Sequence, residues 1–192
     1  ASDLQKVIDN LPSENCAEKW IPLVAMYSGM RLEEIAQLTS EDIREVDGVL
    51  CFDLFGKNIK TESSARLIPV HSILVAAGLN DFVESVPANQ NLWGLEVYRG
   101  GWGKRFGKTF GRWLRANITK DPKKVFHSFR HSVADSLKLA VVPEPLTKQI
   151  MGHTNSDITT GRYGSKYPQS SVREAIEEIK YNIDLQKVII KK

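Results

Sequence analysis

Cysteine is scarce in this 192-residue chain: there are two, Cys16 and Cys51, far apart and in apolar contexts. That excludes a disulfide-stapled scaffold and a cysteine-based zinc site, and it fits free thiols in a reducing compartment. Long hydrophobic runs are missing too, since no stretch approaches the ~18–20 apolar residues that a membrane span needs. Residues 1–20 carry charges throughout and contain no apolar leader core, so no secretory signal is expected. No group of acids and histidines has ligand-like spacing, so no metal or other cofactor is expected. Internal repeats, low-complexity tracts and a linker are absent as well. What remains, 42% apolar and 26% charged residues, fits one soluble globular domain.

The net charge of +3 is too small to point to a partner, but its distribution is uneven. Residues 99–124 hold nine basic side chains against one acid, Asp121. Such a local field suits a polyanion, because each neutralised phosphate releases condensed counterions. A solvated helix face is the ordinary alternative.

Helical periodicity dominates. Ser13 is a candidate cap for a helix through Trp20, Ile21, Leu23, Val24 and Met26 that stops at Gly29. A short amphipathic helix follows at 32–38, with Ser40 capping the next turn. Residues 49–55 and 66–70 read as two strands, the second at an edge because of Pro69. In the helix expected over 102–117, Trp102, Phe106, Phe110 and Trp113 form a core stripe. Gly103, Gly107 and Gly111 share a second face open to close approach, and Lys104, Lys108, Arg112 and Arg115 occupy much of the rest. Further helices are expected over 128–140, 144–151, 157–163 and 169–180. The class is therefore mainly α with a small antiparallel β-sheet (α+β).

Metal-free cleavage of a phosphodiester sets a definite chemical requirement. The non-bridging oxygens need fixed cations, best supplied as guanidinium forks. An in-line nucleophile and a proton for the leaving oxygen complete the set. Candidates for each role exist, and each alone is commonplace. Arg31 follows a helix stop, with Glu34 one turn on to hold its guanidinium. His127 and Arg130 are three apart and share a face at a helix start. His153 follows a Met-Gly helix end, and Tyr163 closes a short polar helix.

Together, in order, they form a pattern. The segments GMRLEEIAQLTSEDI (29–43), KTESSARLIPV (60–70), HSFRHSVAD (127–135) and MGHTNSDITTGRY (151–163) resemble the catalytic domain of the tyrosine recombinase (phage integrase) family. The resemblance spans about residues 15–180. It implies that Arg31 and Arg130 clamp the scissile phosphate, His127 is the acid–base partner, and His153 hydrogen-bonds the phosphate. Tyr163 would form a 3′-phosphotyrosyl link, while Lys60 would protonate the 5′-hydroxyl leaving group. Lys57 competes with Lys60, and Tyr167 is a second nucleophile candidate.

Further expectations follow from the resemblance. The whole of 1–192 would be one catalytic domain, with a core at about 13–180 and a C-terminal helix and tail at 169–192. The family's N-terminal DNA-grasping domain would be absent. Partners would be double-stranded DNA and other recombinase protomers, with no membrane and a monomer in isolation. The setting would be cytoplasmic, bacterial or phage-encoded. Lys104, Lys108, Arg112 and Arg115 would contact DNA phosphates, and an apolar tail suits donation to a neighbouring protomer. Two alternatives use the same residues: an inactive DNA-binding module of integrase-like fold, and a type IB topoisomerase-like enzyme.

Overall fold

The computed structural model describes residues 2–57, 64–153 and 166–189. The first helix, α1 (Asp3–Asp9), starts where the Ser2 hydroxyl accepts the Gln5 N–H at 3.2 Å. The second, α2 (Ala17–Ser28), is the centre of the molecule, with every residue from Lys19 to Ser28 buried. A helix apolar all round belongs inside a domain, and α2 packs against three helices introduced below, α3, α4 and α7. It begins at Cys16 and not at Ser13. Asn15 is held instead by its side chain, whose Oδ1 accepts from Lys19 Nζ and Trp20 Nε1, each at 3.2 Å.

The short α3 (Leu32–Ala36) follows. Five residues have no helical stability of their own, so tertiary partners fix its C-terminal end. Trp93 Nε1 donates to Ile35 O at 2.6 Å, and Asn91 Nδ2 to Ala36 O at 2.7 Å. A 3-10 turn (Ser40–Asp42) is capped by Thr39 and not by Ser40: the Asp42 carboxylate accepts both the Thr39 N–H and its hydroxyl.

The sheet has three antiparallel strands, β1 (Ile43–Val46), β2 (Val49–Asp53) and β3 (Leu67–Pro69), in that spatial order. The first strand was not expected from the periodicity. It is joined to β2 by Asp47 and Gly48, both at positive φ (52° and 73°), the two-residue hairpin turn that Asp-Gly favours. Pro69 pairs with Cys51 on the edge strand. Two short helices, α4 (Ser72–Ala76) and α5 (Leu79–Ser85), lead to α6 (Gly103–Asn117), α7 (Ser128–Leu139), α8 (Glu144–Met151) and α9 (Gln169–Glu177). The helix expected over 157–163 lies outside the described residues. Cys51 is buried, Cys16 is half-buried, and both are free thiols. No helix among the described residues is long and apolar enough to cross a membrane.

The C-terminal segment packs on its own chain. Val172, Ile176, Ile179 and Val188 are buried, and Tyr181 Oη donates to Met26 O at 2.8 Å. Gln5 and Asp184 exchange two hydrogen bonds, of 2.6 and 3.2 Å, which seat the tail on α1.

Candidate active site

Two helices end at one place, each at a glycine in the left-handed region: α2 at Gly29 (φ 66°) and α8 at Gly152 (φ 64°). A helix C-terminus carries unpaired carbonyls and partial negative charge. Arg130, in the first turn of α7 and only 4% exposed, enters between them. Its Nη1 donates to Gly29 O at 2.6 Å, and Nη2 donates to Met151 O. A side chain at Gly29 would meet Met151 Sδ and Val133 Cγ1 at 3.0 Å, so close approach adds to the backbone reason for glycine. Burial first, then the charges of Arg31 and Arg66, push the Arg130 guanidinium down to about 10, which leaves it a cation at neutral pH.

Arg31 is the residue before α3, and Glu34 stands in that helix's first turn. The Glu34 carboxylate accepts the Arg31 main-chain N–H at 2.8 Å and its Nη1 at 2.7 Å. It also accepts Arg66 Nη1 at 3.3 Å and Nη2 at 3.2 Å. Burial alone would raise the Glu34 carboxyl, but the Arg66 charge and the hydrogen bonds from both arginines hold it below the usual range. Two guanidiniums therefore share one carboxylate, and a third, Arg130, is close enough to feel its charge. Arg31 stays half-open to solvent, and no bond engages its Nε or Nη2 among the described residues. The local excess of positive charge and the exposed fork make this a site for an oxyanion.

The histidines border the same ground. Arg130 Nη2 lies 2.9 Å from His153 Nε2. An arginine only donates, so Nε2 accepts and the neutral ring carries its proton on Nδ1. Partial desolvation, then Arg130, Arg31, Arg66 and Lys148, lower the His153 pKa below the ordinary imidazole value. His127, at the head of α7, is lowered by desolvation and by His131, Arg130 and Arg31. Its ring meets His131 edge-on at 5.0 Å. These shifts favour the neutral form of His127 and His153, and an incoming anion pushes both back toward protonation. Among the described residues no three His, Cys, Asp or Glu side chains converge as a metal-ligand set.

The basic helix α6 is docked beside this site by α3. Glu33 accepts the N–H groups of Trp102 (2.6 Å) and Gly103 (2.9 Å), capping α6 with a carboxylate. A Cβ at Gly103 would sit 2.8 Å from Leu32 Cγ, and one at Gly107 would sit 3.0 Å from Leu32 Cδ2. The small-residue face thus receives a leucine side chain, not a neighbouring backbone. Phe106 and Phe110 are buried as expected, and Trp113 is partly buried. Lys108, Arg112 and Arg115 line an open groove of about 680 Å³ that ends at His127 and has Leu32 and Phe126 in its wall. Lys104 is outside that lining and donates to Arg99 O at 2.6 Å.

Of the residues singled out from the sequence, Arg31, Glu34, Arg130 and His153 meet, with His127 at the edge. Lys60 and Tyr163 lie outside the described residues. Lys57 is paired with Asp42 at 2.5 Å. Tyr167 packs on the core, and Gln149 clamps its main chain, donating to its carbonyl (3.1 Å) and accepting its N–H (2.9 Å). Sequence reasoning missed Arg66 and the capping role of Glu33. The signal for Arg66 was there: with Ile68 and Val70 it occupies alternate positions of one strand face, and all three are buried.

No protein-family model and no curated protein matches the chain. Solved structures do. The integrase of mycobacterium phage Brujita superposes with a TM-score of 0.64 over 98% of this chain at 19% identity. The Tn1549 transposon integrase, solved in complex with transposon right-end DNA, gives 0.53 over 91%, also at 19% identity. This chain spans 62% and 63% of those two. It has the α+β fold of these integrases.

Proposed function

We propose that this chain is a tyrosine recombinase catalytic domain that cuts and rejoins DNA through a 3′-phosphotyrosyl intermediate. The observation that carries the reading is the set of three clustered arginines, two of them on one carboxylate and the third against His153, with His127 at the edge. The excess of positive charge suits a bound phosphodiester, and the fold shared with integrases favours the recombinase reading.

In this reading Arg31 and Arg130 hold the two non-bridging oxygens as they gain charge. Tyr163 Oη attacks phosphorus in line as His127 takes its proton, and the bond to the 5′ oxygen breaks. Lys60 gives that oxygen its proton, and His153 donates to the phosphate. Attack by a 5′-hydroxyl on the phosphotyrosine reverses these steps and rejoins a strand. Lys57's pairing with Asp42 supports Lys60, and Tyr167's place on the core supports Tyr163. The groove along α6 carries duplex phosphates, as the DNA bound to the transposon integrase suggests for this fold. Other protomers on the same DNA complete the reaction.

The test is covalent capture. A nicked-duplex library, randomised in sequence, is incubated with the protein in EDTA. A denaturation-resistant protein–DNA adduct is expected from wild type and not from Tyr163→Phe. An adduct that requires added Mg²⁺, or that survives Tyr163→Phe, would overturn the reading.

A further inference from the structure

Arg66, in the lead-in to β3, is as enclosed as Arg130, 5% exposed. Its Nε donates to Ile150 O at 2.7 Å, in the last turn of α8. Its Nη1 donates to Ser64 O at 2.8 Å and to Glu34, and its Nη2 donates to Glu34 again. Four of a guanidinium's five N–H groups are thus engaged inside the fold. Ser64 in turn accepts from Arg31 Nη1 at 3.2 Å. A side chain at Gly152 would stand 2.6 Å from Arg66 Nη1, so the glycine before His153 is also the gap through which Arg66 passes.

We propose that Arg66 is a positioning residue, a buried strut that ties Glu34, and through it Arg31, to the end of α8 that presents His153. Arg66 acts through other residues, because four of its five N–H groups are committed to Glu34, Ser64 O and Ile150 O within the fold. Arg31 and His153 stand on elements far apart in sequence, and Arg66 sets their spacing. A lysine offers one point charge and reaches either Glu34 or Ile150 O, not both. The catalytic consequence rests on the recombinase reading; the structural link does not.

The experiment compares wild type, Arg66→Lys, Glu34→Gln and the double variant in single-turnover adduct formation on the captured duplex. DNA affinity and the pH profile are measured alongside. Arg66→Lys is expected to slow adduct formation ~10–100-fold, since a misplacement near 1 Å costs that much, with DNA affinity nearly unchanged. The double variant should be no slower than the worse single one. Glu34 is faced by Arg31 from α3, Arg66 from the β3 lead-in and Arg130 from α7. Loosening one of these raises its carboxyl pKa, so the acid limb of the rate profile should climb by about one unit or more. A wild-type rate and acid limb with only a lower Tm would overturn the proposal, since packing alone would then explain Arg66. Should Arg66→Lys not fold, Glu34→Gln reads the strut from its other end: slow adduct formation with intact affinity supports it, and a wild-type rate overturns it. If wild type forms no adduct, the recombinase reading falls, and NMR decides the strut. A shifted Arg31 Nε–H resonance and a raised Glu34 titration in Arg66→Lys support it, while unchanged values overturn it.

Discussion

In the proposed reaction Arg31 and Arg130 hold the same phosphate, yet the fold leans on them unequally, and this separates chemistry from stability. Arg31→Ala and Arg130→Ala should each slow adduct formation by ~10²–10³-fold or more, with lysine a poor replacement at either position. Only Arg130→Ala also strips buried carbonyls, those of Gly29 and Met151, of their donor. Each unsatisfied group costs about 1–3 kcal/mol, so Tm should fall by several degrees for Arg130→Ala and little for half-exposed Arg31→Ala. Equal Tm losses would contradict the helix-end arrangement. His153 offers a second test. Its pKa is held below the ordinary value by partial desolvation and the arginines. A bound phosphate raises it, so binding takes up a proton. The gain in affinity is full below the free-state pKa and disappears as pH rises through the bound-state pKa. An NMR titration of His153 with and without inorganic phosphate should show this upward move, and a fixed or falling pKa would remove His153 from the phosphate. Arg31 and Arg130 were legible through the ordered motifs that resemble the recombinase family, and Glu34 through its place one helical turn after Arg31. For Arg66 the sequence carried a burial signal, its alternation with Ile68 and Val70, but not its role, because its partners Glu34 and Ile150 lie far off in sequence and only tertiary packing brings them to it.

The elements repeat this division between local signal and tertiary context. The helix ends at Gly29 and Gly152 and the core stripe of α6 follow from local rules, and the sequence shows them. Strand β1 escaped notice because Ile43–Val46 is short and mostly exposed, although the Asp47-Gly48 pair between two valines marked the hairpin. In α6 the three glycines look alike in sequence and differ in the fold. Gly103→Ala forces a methyl against Leu32 and should destabilise by about 1–3 kcal/mol. Gly111→Ala meets only the Arg115 guanidinium, 3.6 Å away, and should stabilise by up to ~1 kcal/mol through helix propensity. Thermal melts that move both variants the same way would refute the α3–α6 docking. The basic side chains of α6 divide in a similar manner. Neutralising Lys108, Arg112 and Arg115 together should weaken binding to all duplexes alike and flatten its salt dependence, while Lys104→Ala should do less. A changed sequence preference at constant salt slope would mean that the helix reads bases.

At the scale of the whole molecule, the two chain ends meet. Beyond α9 the chain passes Ile179 O, which lies 3.2 Å from His71 Nε2, and Lys180 N, which donates to Ser136 Oγ at 3.1 Å. It then reaches α1 through the Gln5–Asp184 pair and buried Val188. The earlier part of this route is anchored in the core, whereas the last stretch is held by the Gln5–Asp184 pair, a Lys187–Asp9 hydrogen bond, buried Val188 and partly buried Ile183, Leu185 and Ile189. An apolar tail was visible in the sequence, but the seat on α1 was not, because α1 carries little apolar periodicity of its own. Truncation after Asn182 isolates the last stretch. Val188 burial contributes about 1.5–2 kcal/mol, so Tm should drop by several degrees while α9 and the anion site stay intact. Well below that Tm, single-site adduct formation should remain near the full-length rate, since no residue beyond Asn182 touches Arg31, Arg130 or His153 among the described residues. Recombination between paired sites should fall much further if the apolar tail exchanges its seat on α1 for a groove on a neighbouring protomer. Parallel loss of both activities, matched to the loss of folded protein, would instead tie the tail to its own core alone.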